Sequence, residues 1–331
     1  MALAALLAGS AIARPALAAQ SSRPVQRMEV WGFTAPWDTA SAAAVRAHGS
    51  GLDAVVTGWI GLDSTTARPI HPVLYPDTLH PRRGTLRRMA IVTSWHGDRF
   101  HARTIRTLAA DRALLSQTAG HIARHSAAMR YSGLVLDFET LDARDVSALL
   151  TVVRAIADSA HARGIGMVAV AVPATDSAAY PARPLLGVAD VLLPMLYDQH
   201  WPGSAPGPTA EPAWVHAALA ARVAEAGGPA RIVAALPAYG YRWWTGSGAR
   251  RADAVSFREA RRIAAAARLP LARDAATQTL RATRAGEWEM WVTDAALLRT
   301  LVREARALGV RRFALWRMGQ EDEAVWHSVF D

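Results

Sequence analysis

Residues 131–164 read YSGLVLDFETLDARDVSALLTVVRAIADSAHARG and contain one complete strand–helix unit. The run Gly133–Glu139 is aliphatic up to its last residues, as in a strand that is buried on both faces of a parallel sheet. From Asp142 to Arg163 the apolar residues recur at the i, i+3, i+4 spacing of one helical face, and Gly164 follows as a helix cap. The residues on this face are Val146, Leu149, Leu150, Val153, Ile156 and Ala160.

The same unit recurs along the chain, because eight short apolar runs are each followed by sequence of helical periodicity. This alternation predicts an α/β fold of the (β/α)8 TIM-barrel type. A doubly wound open sheet is the alternative, but no G-x-G-x-x-G follows the first run, so a dinucleotide site is not supported. The eight runs are Met28–Ala35, Ala54–Leu62, Met89–Trp95, Gly133–Glu139, Gly166–Pro173, Asp190–Asp198, Arg231–Tyr241 and Arg312–Met318.

One interval is too long for a single crossover helix. From Trp244 to about Glu287, a helical pattern precedes the strand-like run Thr279–Thr283, and a second such run follows at Trp288–Val292. We therefore predict a small α+β insertion at about 244–287, between strands seven and eight of a barrel that spans 26–331. No low-complexity linker divides this barrel into independent domains.

The composition fits a globular protein with a large core, since 51% of its 331 residues are hydrophobic and 20% are charged. Cysteine is absent, which excludes disulfide scaffolds and thiol nucleophiles. The formal charge is +9 and Lys is absent, so Arg supplies the positive charge. Attraction to an anionic polymer and diffuse surface charge are both consistent with this excess. Because no nucleic-acid-binding motif is present, we expect no nucleic-acid partner.

The first eighteen residues are interpreted as a secretory signal peptide. The run Ala2–Ala11 is too short to span a bilayer, and Ala16–Ala18 resembles an A-x-A cleavage site, although no Lys or Arg precedes the run. We therefore expect a secreted or periplasmic protein whose domain begins near Gln26. No other segment is apolar for long enough to predict membrane insertion.

Polar residues that could carry chemistry lie where the predicted strands end, which is where barrels of this type place their active sites. Strand four ends with Asp137 and Glu139, and alternation along the strand places both side chains at the barrel mouth. Two neighbouring carboxylates repel each other, so one should keep its proton to higher pH, as a general acid requires. Solvated carboxylates, or a carboxylate that caps the next helix, are the structural alternative.

Strands six and eight bring further candidates to the same space. Strand six ends with Tyr197 and Asp198, and strand eight with Trp316, whose flat face suits a sugar ring. Ordinary core packing is the alternative for both aromatic residues. The chain has 12 tryptophans, and those at or just past strand ends favour an elongated carbohydrate ligand, because core packing would not prefer that side of the barrel. These are Trp37, Trp59, Trp95, Trp201, Trp243 and Trp316.

Five segments together resemble glycoside hydrolase family 18, the chitinase-like enzymes. Residues 131–139 (YSGLVLDFE) resemble the signature D-G-x-D-x-D-x-E, 195–198 (MLYD) resemble M-x-Y-D, and 236–243 (LPAYGYRW) resemble L-P-x-Y-G-Y-x-W. Residues 291–295 (WVTDA) and 315–322 (LWRMGQED) resemble the endings of the bacterial branch that includes peptidoglycan-lytic and spore-cortex-lytic enzymes. The resemblance covers nearly the whole predicted domain.

The resemblance implies a retaining, substrate-assisted reaction, in which the N-acetyl group beside the scissile bond supplies the nucleophile. It implies that Glu139 protonates the leaving oxygen and later activates water, that Asp137 orients the acetamido group, and that Tyr197 donates a hydrogen bond to it. Trp316 would form the floor of the sugar site, and no metal or cofactor takes part. The substrate-binding candidates are Asp198, Trp316, Trp37, Trp59, Trp95, Tyr239 and Trp243.

Two positions depart from the signature, since Ser132 and Val135 stand where the family has its first and second Asp. We expect the absence of the second carboxylate to affect the turnover rate more than the fold or the class of ligand. We expect a monomeric hydrolase of a polysaccharide that contains N-acetylated amino sugars, with peptidoglycan or another envelope glycan favoured over chitin. A chitinase-like glycan-binding protein without turnover is the alternative, and a purely structural envelope protein is the third possibility.

One pair of histidines has a spacing that could bind zinc. His121 and His125 lie four residues apart on a predicted helix, which is a zinc-binding spacing. The segment lacks the Glu of H-E-x-x-H and an evident third ligand, so we predict no metal site.

Overall fold

The protein is described by a computed structural model that covers residues 27–71, 86–246 and 251–330. The expected signal peptide at 1–18 and the expected domain start at Gln26 lie outside the described residues.

Eight parallel strands pair in chain order, and the first strand also pairs with the eighth, so the sheet closes. Each predicted run overlaps one of these strands, which confirms the (β/α)8 barrel. The strands are Glu29–Phe33, Ala54–Leu62, Arg87–Thr93, Gly133–Asp137, Met167–Pro173, Val191–Met195, Val233–Pro237 and Arg312–Trp316.

Helices cover the outside of the barrel. In the fourth unit the helix lies at 146–161 and buries Leu149, Val153 and Ile156 against the strands, as the apolar spacing predicts. Within the described ranges no helix is long and apolar enough to cross a membrane. The helices around the barrel are α1 (Thr39–His48), α2 (Ala102–Ala110), α3 (Arg112–Ala128), α4 (Val146–His161), α5 (Ala182–Leu186), α6 (Pro212–Ala226) and α8 (Ala295–Ala307). A further helix, α7 (Phe257–Ala266), packs outside the barrel on the strands Arg251–Ser256 and Trp288–Val292.

The barrel interior is a packed core that is separate from the layer between strands and helices. Inward-facing side chains such as Trp31, Met89, Val135 and Val233 form one buried cluster. Larger, partly buried residues, including Trp59 and Trp316, pack on top of it. This filling closes the barrel below and leaves a cavity at the carboxyl ends of the strands.

The segment between the seventh and eighth strands forms a five-stranded antiparallel sheet, which we call the insertion sheet. Its strand Tyr239–Trp244 lies between Arg251–Ser256 and Trp288–Val292, so the predicted bounds of 244–287 are too narrow. The predicted seventh run also joins two strands, because the chain leaves the barrel at Pro237 and enters the insertion sheet at Tyr239. The remaining two strands are Ala272–Arg273 and Leu280–Arg284.

Candidate active site

A cavity of about 480 Å³ opens at the carboxyl ends of the barrel strands. Its polar side chains are three carboxylic acids and a phenol, and its other side chains are aromatic or aliphatic. Such a surface suits a ligand with both hydroxyl groups and flat C–H faces. The lining residues are Phe33, Trp37, Trp59, Ile91, Trp95, Phe100, Val135, Asp137, Glu139, Ala171, Leu193, Met195, Tyr197, Asp198 and Trp316.

Asp137 and Glu139 lie side by side at the floor of this cavity, as alternation along strand four predicts. Asp137 is the last residue of its strand and is buried, whereas Glu139 is partly open to the cavity. The two carboxyl groups share a hydrogen bond. Thr93, which ends the neighbouring third strand, donates its hydroxyl hydrogen to Oδ2 of Asp137 at 3.1 Å. Its oxygen accepts a hydrogen bond from the Trp95 backbone N–H, so the hydroxyl is oriented toward Asp137.

The site keeps one proton on this pair at neutral pH. Burial is the main cause that raises the pKa of Glu139 above its ordinary value of 4.5, and the negative charges of Asp137 and Asp198 raise it further. Burial also raises the pKa of Asp137, but the hydrogen bonds from Thr93 and Glu139 favour its charged form. Glu139 is therefore the acid of the pair, and it donates its hydrogen bond to the Asp137 carboxylate.

Asp198 is held by two tyrosines of the insertion sheet. The hydroxyl groups of Tyr239 and Tyr241 both donate to Oδ1 of Asp198, the second at 3.0 Å. Burial raises the pKa of Asp198, while these two hydrogen bonds lower it. Because Tyr239 and Tyr241 alternate along one strand, their side chains leave the same face of the insertion sheet and converge on one carboxylate.

Tyr197 and Trp316 form the aromatic part of the floor. Their rings are stacked at a centroid distance of 6.4 Å and an interplanar angle of 17°, and Phe33 meets Trp316 edge to face at 5.6 Å. Burial, followed by the charges of Glu139 and Asp137, raises the pKa of Tyr197 well above 10. Its phenol is therefore neutral and can donate a hydrogen bond to a ligand.

A wall of aromatic rings continues from this floor toward solvent. Trp59, on the second strand, meets Trp37 edge to face at 5.0 Å. Trp95 meets Phe100 in the same way at 5.1 Å, and both belong to a short hairpin after the third strand. Trp37 and Trp95 are exposed, which is unusual for such large apolar side chains and typical of a binding surface.

Two predicted substrate-binding residues do not line the cavity. Trp243 is only 1% exposed and packs against Tyr241 within the insertion sheet, and Tyr239 is buried beneath Asp198. The chain turns out of the barrel at Ala238, so these residues face the insertion sheet and Asp198 rather than the barrel mouth. Trp201, which follows strand six, is exposed but also lies outside the cavity lining.

The two departures from the signature occupy different environments. Val135 is fully buried in the barrel interior, one alternation below Asp137 and on the same face of strand four. It offers Asp137 no hydrogen bond. Ser132 lies at the opposite end of this strand, where its hydroxyl donates to the Arg88 carbonyl oxygen at 3.0 Å, so it has no contact with the cavity.

Thr93 and Tyr241 contact the site carboxylates but are not among the residues predicted from the sequence. Thr93 could have been found by the rule that identified Asp137, because it also ends a barrel strand. Tyr241 gave no such signal, since its contact with Asp198 depends on the fold of the insertion sheet.

The predicted histidine pair has a third neighbour that sequence spacing does not reveal. His71 stacks on His125 at 3.8 Å, and its Nε2 atom lies 3.1 Å from Nε2 of His121. In the part of the chain that the structure describes, no group of three His, Asp or Glu side chains has a geometry that could hold a metal ion.

Solved structures with this fold include enzymes from bacteria and plants. The spore cortex-lytic enzyme SleL of Bacillus megaterium QM B1551 has a TM-score of 0.79 at 17% identity, over 93% of this chain and 76% of its own. A class V chitinase from Pseudomonas fluorescens Pf-5 has a TM-score of 0.78 at 24% identity, over 91% of this chain and 98% of its own. The class V chitinase of Nicotiana tobaccum, in complex with NAG4, has a TM-score of 0.73 at 15% identity, over 92% of this chain and 98% of its own.

At these identities the likeness establishes the fold and leaves the activity of this chain to be argued from its own site. Comparisons with protein-family models and with curated proteins give no match.

Proposed function

We propose that the chain is a retaining glycoside hydrolase that cleaves a polysaccharide containing N-acetylated amino sugars. The observation that carries the proposal is the hydrogen-bonded pair of Asp137 and Glu139 at the floor of an aromatic cavity, where burial and neighbouring negative charge raise the pKa of Glu139. A carboxyl group that keeps its proton at neutral pH can protonate a leaving oxygen. The fold shared with chitinases and a cortex-lytic enzyme points to the same class of substrate.

The spacing of the carboxyl groups favours a substrate-assisted reaction. Enzymes that use two carboxyl groups keep them about 5–5.5 Å apart for retention and about 6.5–9.5 Å apart for inversion. Asp137 and Glu139 share a hydrogen bond, so a sugar carbon does not fit between them. The nucleophile in our proposal is therefore the carbonyl oxygen of the substrate's own acetamido group.

The reaction proceeds in two displacements. In the first, the acetamido oxygen bonds to the anomeric carbon, the glycosidic C–O bond breaks, and Glu139 gives its proton to the departing oxygen. Asp137 accepts a hydrogen bond from the acetamido N–H and stabilises the positive charge, while Tyr197 donates to the acetamido oxygen. In the second, water bonds to the same carbon and gives a proton to Glu139, while the bond between that carbon and the acetamido oxygen breaks and the acetamido group is restored. Two displacements at one carbon retain its configuration.

The aromatic residues bind the glycan chain. Trp316 offers a flat surface beside Glu139, and the wall formed by Trp59 and Trp37 extends this surface for further sugar units. We favour peptidoglycan or a related envelope glycan over chitin, and this choice depends on the motif resemblance and on the SleL likeness. Secretion or a periplasmic location, as expected from residues 1–18, belongs to the same proposal.

The test is the release of reducing ends from purified peptidoglycan and from chitin oligomers, by the wild type and by Glu139→Gln. Activity that disappears in the variant supports the hydrolase, and the better substrate identifies the polymer. Fully deacetylated chitosan oligomers are the matched control, because they lack the acetamido nucleophile. Equal cleavage of chitosan would contradict the substrate-assisted reaction, and no release from any N-acetylated glycan would contradict the hydrolase.

One observation favours glycan binding without turnover as a second candidate. Val135 occupies the buried position below Asp137 and can form no hydrogen bond with it. Binding of chitin oligomers without release of reducing ends, together with release by Val135→Asp, would support this second function.

A further inference from the structure

The turn that carries Glu139 is bridged by a hydroxyl group from another loop of the barrel. Tyr180, between the fifth strand and α5, donates a hydrogen bond from its hydroxyl to the Phe138 carbonyl oxygen at 2.9 Å. The same hydroxyl accepts a hydrogen bond from the Leu141 backbone N–H at 3.1 Å. Phe138 and Leu141 are the first and last residues of a four-residue segment with Glu139 at its centre. The hydroxyl therefore takes the place of the i to i+3 hydrogen bond that commonly closes a β-turn.

This segment contains a backbone conformation that its sequence does not favour. Thr140 has a φ of 63°, in the left-handed region that β-branched residues rarely adopt. Such a conformation persists where the surroundings impose it. The side chains of Phe138 and Leu141 are buried, but Thr140 is exposed, so packing fixes the ends of the segment and not its centre.

Tyr180 is itself held by a buried arginine. Arg222, on α6, is 1% exposed and donates to the backbone carbonyl oxygens of Pro173 and Asp176, both at 2.7 Å, and of Tyr180 at 2.9 Å. Its charge is balanced by Glu225 at 3.0 Å. The loop that presents Tyr180 is thus fixed from inside, and its hydroxyl has a defined position.

We infer that Tyr180 is a positioning residue whose hydroxyl holds the turn so that Glu139 lies against Asp137 at the cavity floor. Tyr180 does not line the cavity, so it acts through the backbone and not by contact with a ligand. Its effect on catalysis rests on the proposed function, whereas its effect on the position of Glu139 does not.

The test compares Tyr180→Phe with Tyr131→Phe, which removes the hydroxyl of another buried tyrosine, at the amino end of strand four. We expect Tyr180→Phe to lower kcat on chitin oligomers by about tenfold or more with a nearly unchanged KM, because only the placement of the proton donor is disturbed. Tyr131→Phe should keep both constants. Circular dichroism and assays well below the unfolding temperature separate this effect from a loss of stability.

A second measurement needs no turnover. Titration of the Glu139 carboxyl group by ¹³C NMR should show a pKa that is lower by roughly one unit in Tyr180→Phe, because a relaxed turn moves Glu139 toward solvent and away from Asp137. If the wild type cleaves no glycan, the proposed function fails and this titration still tests the inference. In the wild type, the amide hydrogen of Leu141 should exchange slowly. An unchanged titration, an unchanged kcat in an active protein, or fast exchange at Leu141 would overturn the inference.

Discussion

Tyr239 donates a hydrogen bond to the carboxylate of Asp198, so a residue of the insertion sheet holds a residue of the cavity. The position of Asp198 matters for its neighbour, because its negative charge is one of the causes that raise the pKa of Glu139. The insertion sheet thereby influences the protonation of the proposed acid.

Asp198→Asn should move the alkaline limb of the pH–rate profile to lower pH. Removal of this charge lowers the pKa of Glu139, which acts as an acid only while it is protonated, so activity is lost earlier as pH rises. We expect a shift of roughly half a unit or more in kcat/KM against pH on chitin oligomers. Asp274→Asn, in an exposed loop of the insertion sheet, is the control and should leave the limb in place. An equal shift in both variants would contradict the assignment.

Glu139→Gln should stabilise the fold at pH 8 and have little effect near pH 4. The folded-state pKa of Glu139 is raised above the unfolded value of about 4.5. The stability that the neutral carboxyl contributes is therefore complete below the unfolded pKa and is lost as pH rises through the folded pKa. A glutamine keeps the hydrogen bond to Asp137 and does not ionise, so we expect a gain on the order of 1–3 kcal/mol at pH 8.

Urea unfolding of wild type and Glu139→Gln at the two pH values measures this difference. Glu323→Gln, at an exposed position, is the matched control. A difference between Glu139→Gln and wild type that is the same at pH 4 and pH 8 would show that Glu139 titrates normally.

Trp37→Ala should weaken binding of long oligomers and spare short ones. Trp37 is 51% exposed and lies on the cavity wall, whereas Trp201 is 53% exposed and lies outside the lining, so Trp201→Ala is a control of equal exposure. Loss of one stacking surface should raise the Kd for chitohexaose by about tenfold, equivalent to about 1.4 kcal/mol, with little change for chitobiose. Calorimetric titration on the Glu139→Gln background measures both. Equal losses in the two tryptophan variants would place the glycan elsewhere.

Arg222→Met should be strongly destabilising. The guanidinium donates to several backbone carbonyl oxygens, which would lose this donor, and its removal would leave Glu225 without its ion-pair partner. We expect a loss of about 3–5 kcal/mol in the free energy of unfolding, measured with urea. Arg144→Met removes a guanidinium that is 78% exposed and should cost less than about 0.5 kcal/mol. A small loss in Arg222→Met would mean that water replaces the guanidinium.

The barrel and the floor of the cavity could be predicted because they depend on local patterns. Gly133–Glu139 is aliphatic up to its last residues because the strand is buried on both faces, and alternation then places Asp137 and Glu139 together. Both features belong to a single segment of the chain, so no knowledge of distant contacts is required.

The insertion sheet could not be delimited in this way. The chain changes from parallel to antiparallel pairing at Ala238, within a stretch that is apolar on both sides. At Gly240 the strand lies very close to the neighbouring strand Trp288–Val292, since a Cβ atom at this position would lie 2.0 Å from the Trp291 carbonyl oxygen. The sequence alone does not reveal that this glycine is required by the close approach of the two strands. The roles of Tyr239 and Tyr241 follow from this change of direction and therefore also escaped prediction.

The origin of the two tyrosines limits how far this scaffold can be simplified by protein engineering. A shortened version that joins strand seven directly to α8 would retain all eight barrel strands and the residues of strands four and six. It would still discard both hydroxyl donors of Asp198, leaving that carboxylate without these partners beside Glu139. A shortened barrel would thus need other hydrogen-bond donors to Asp198, placed on the strand-six loop. Only then could Glu139 be protonated as it is in the complete chain.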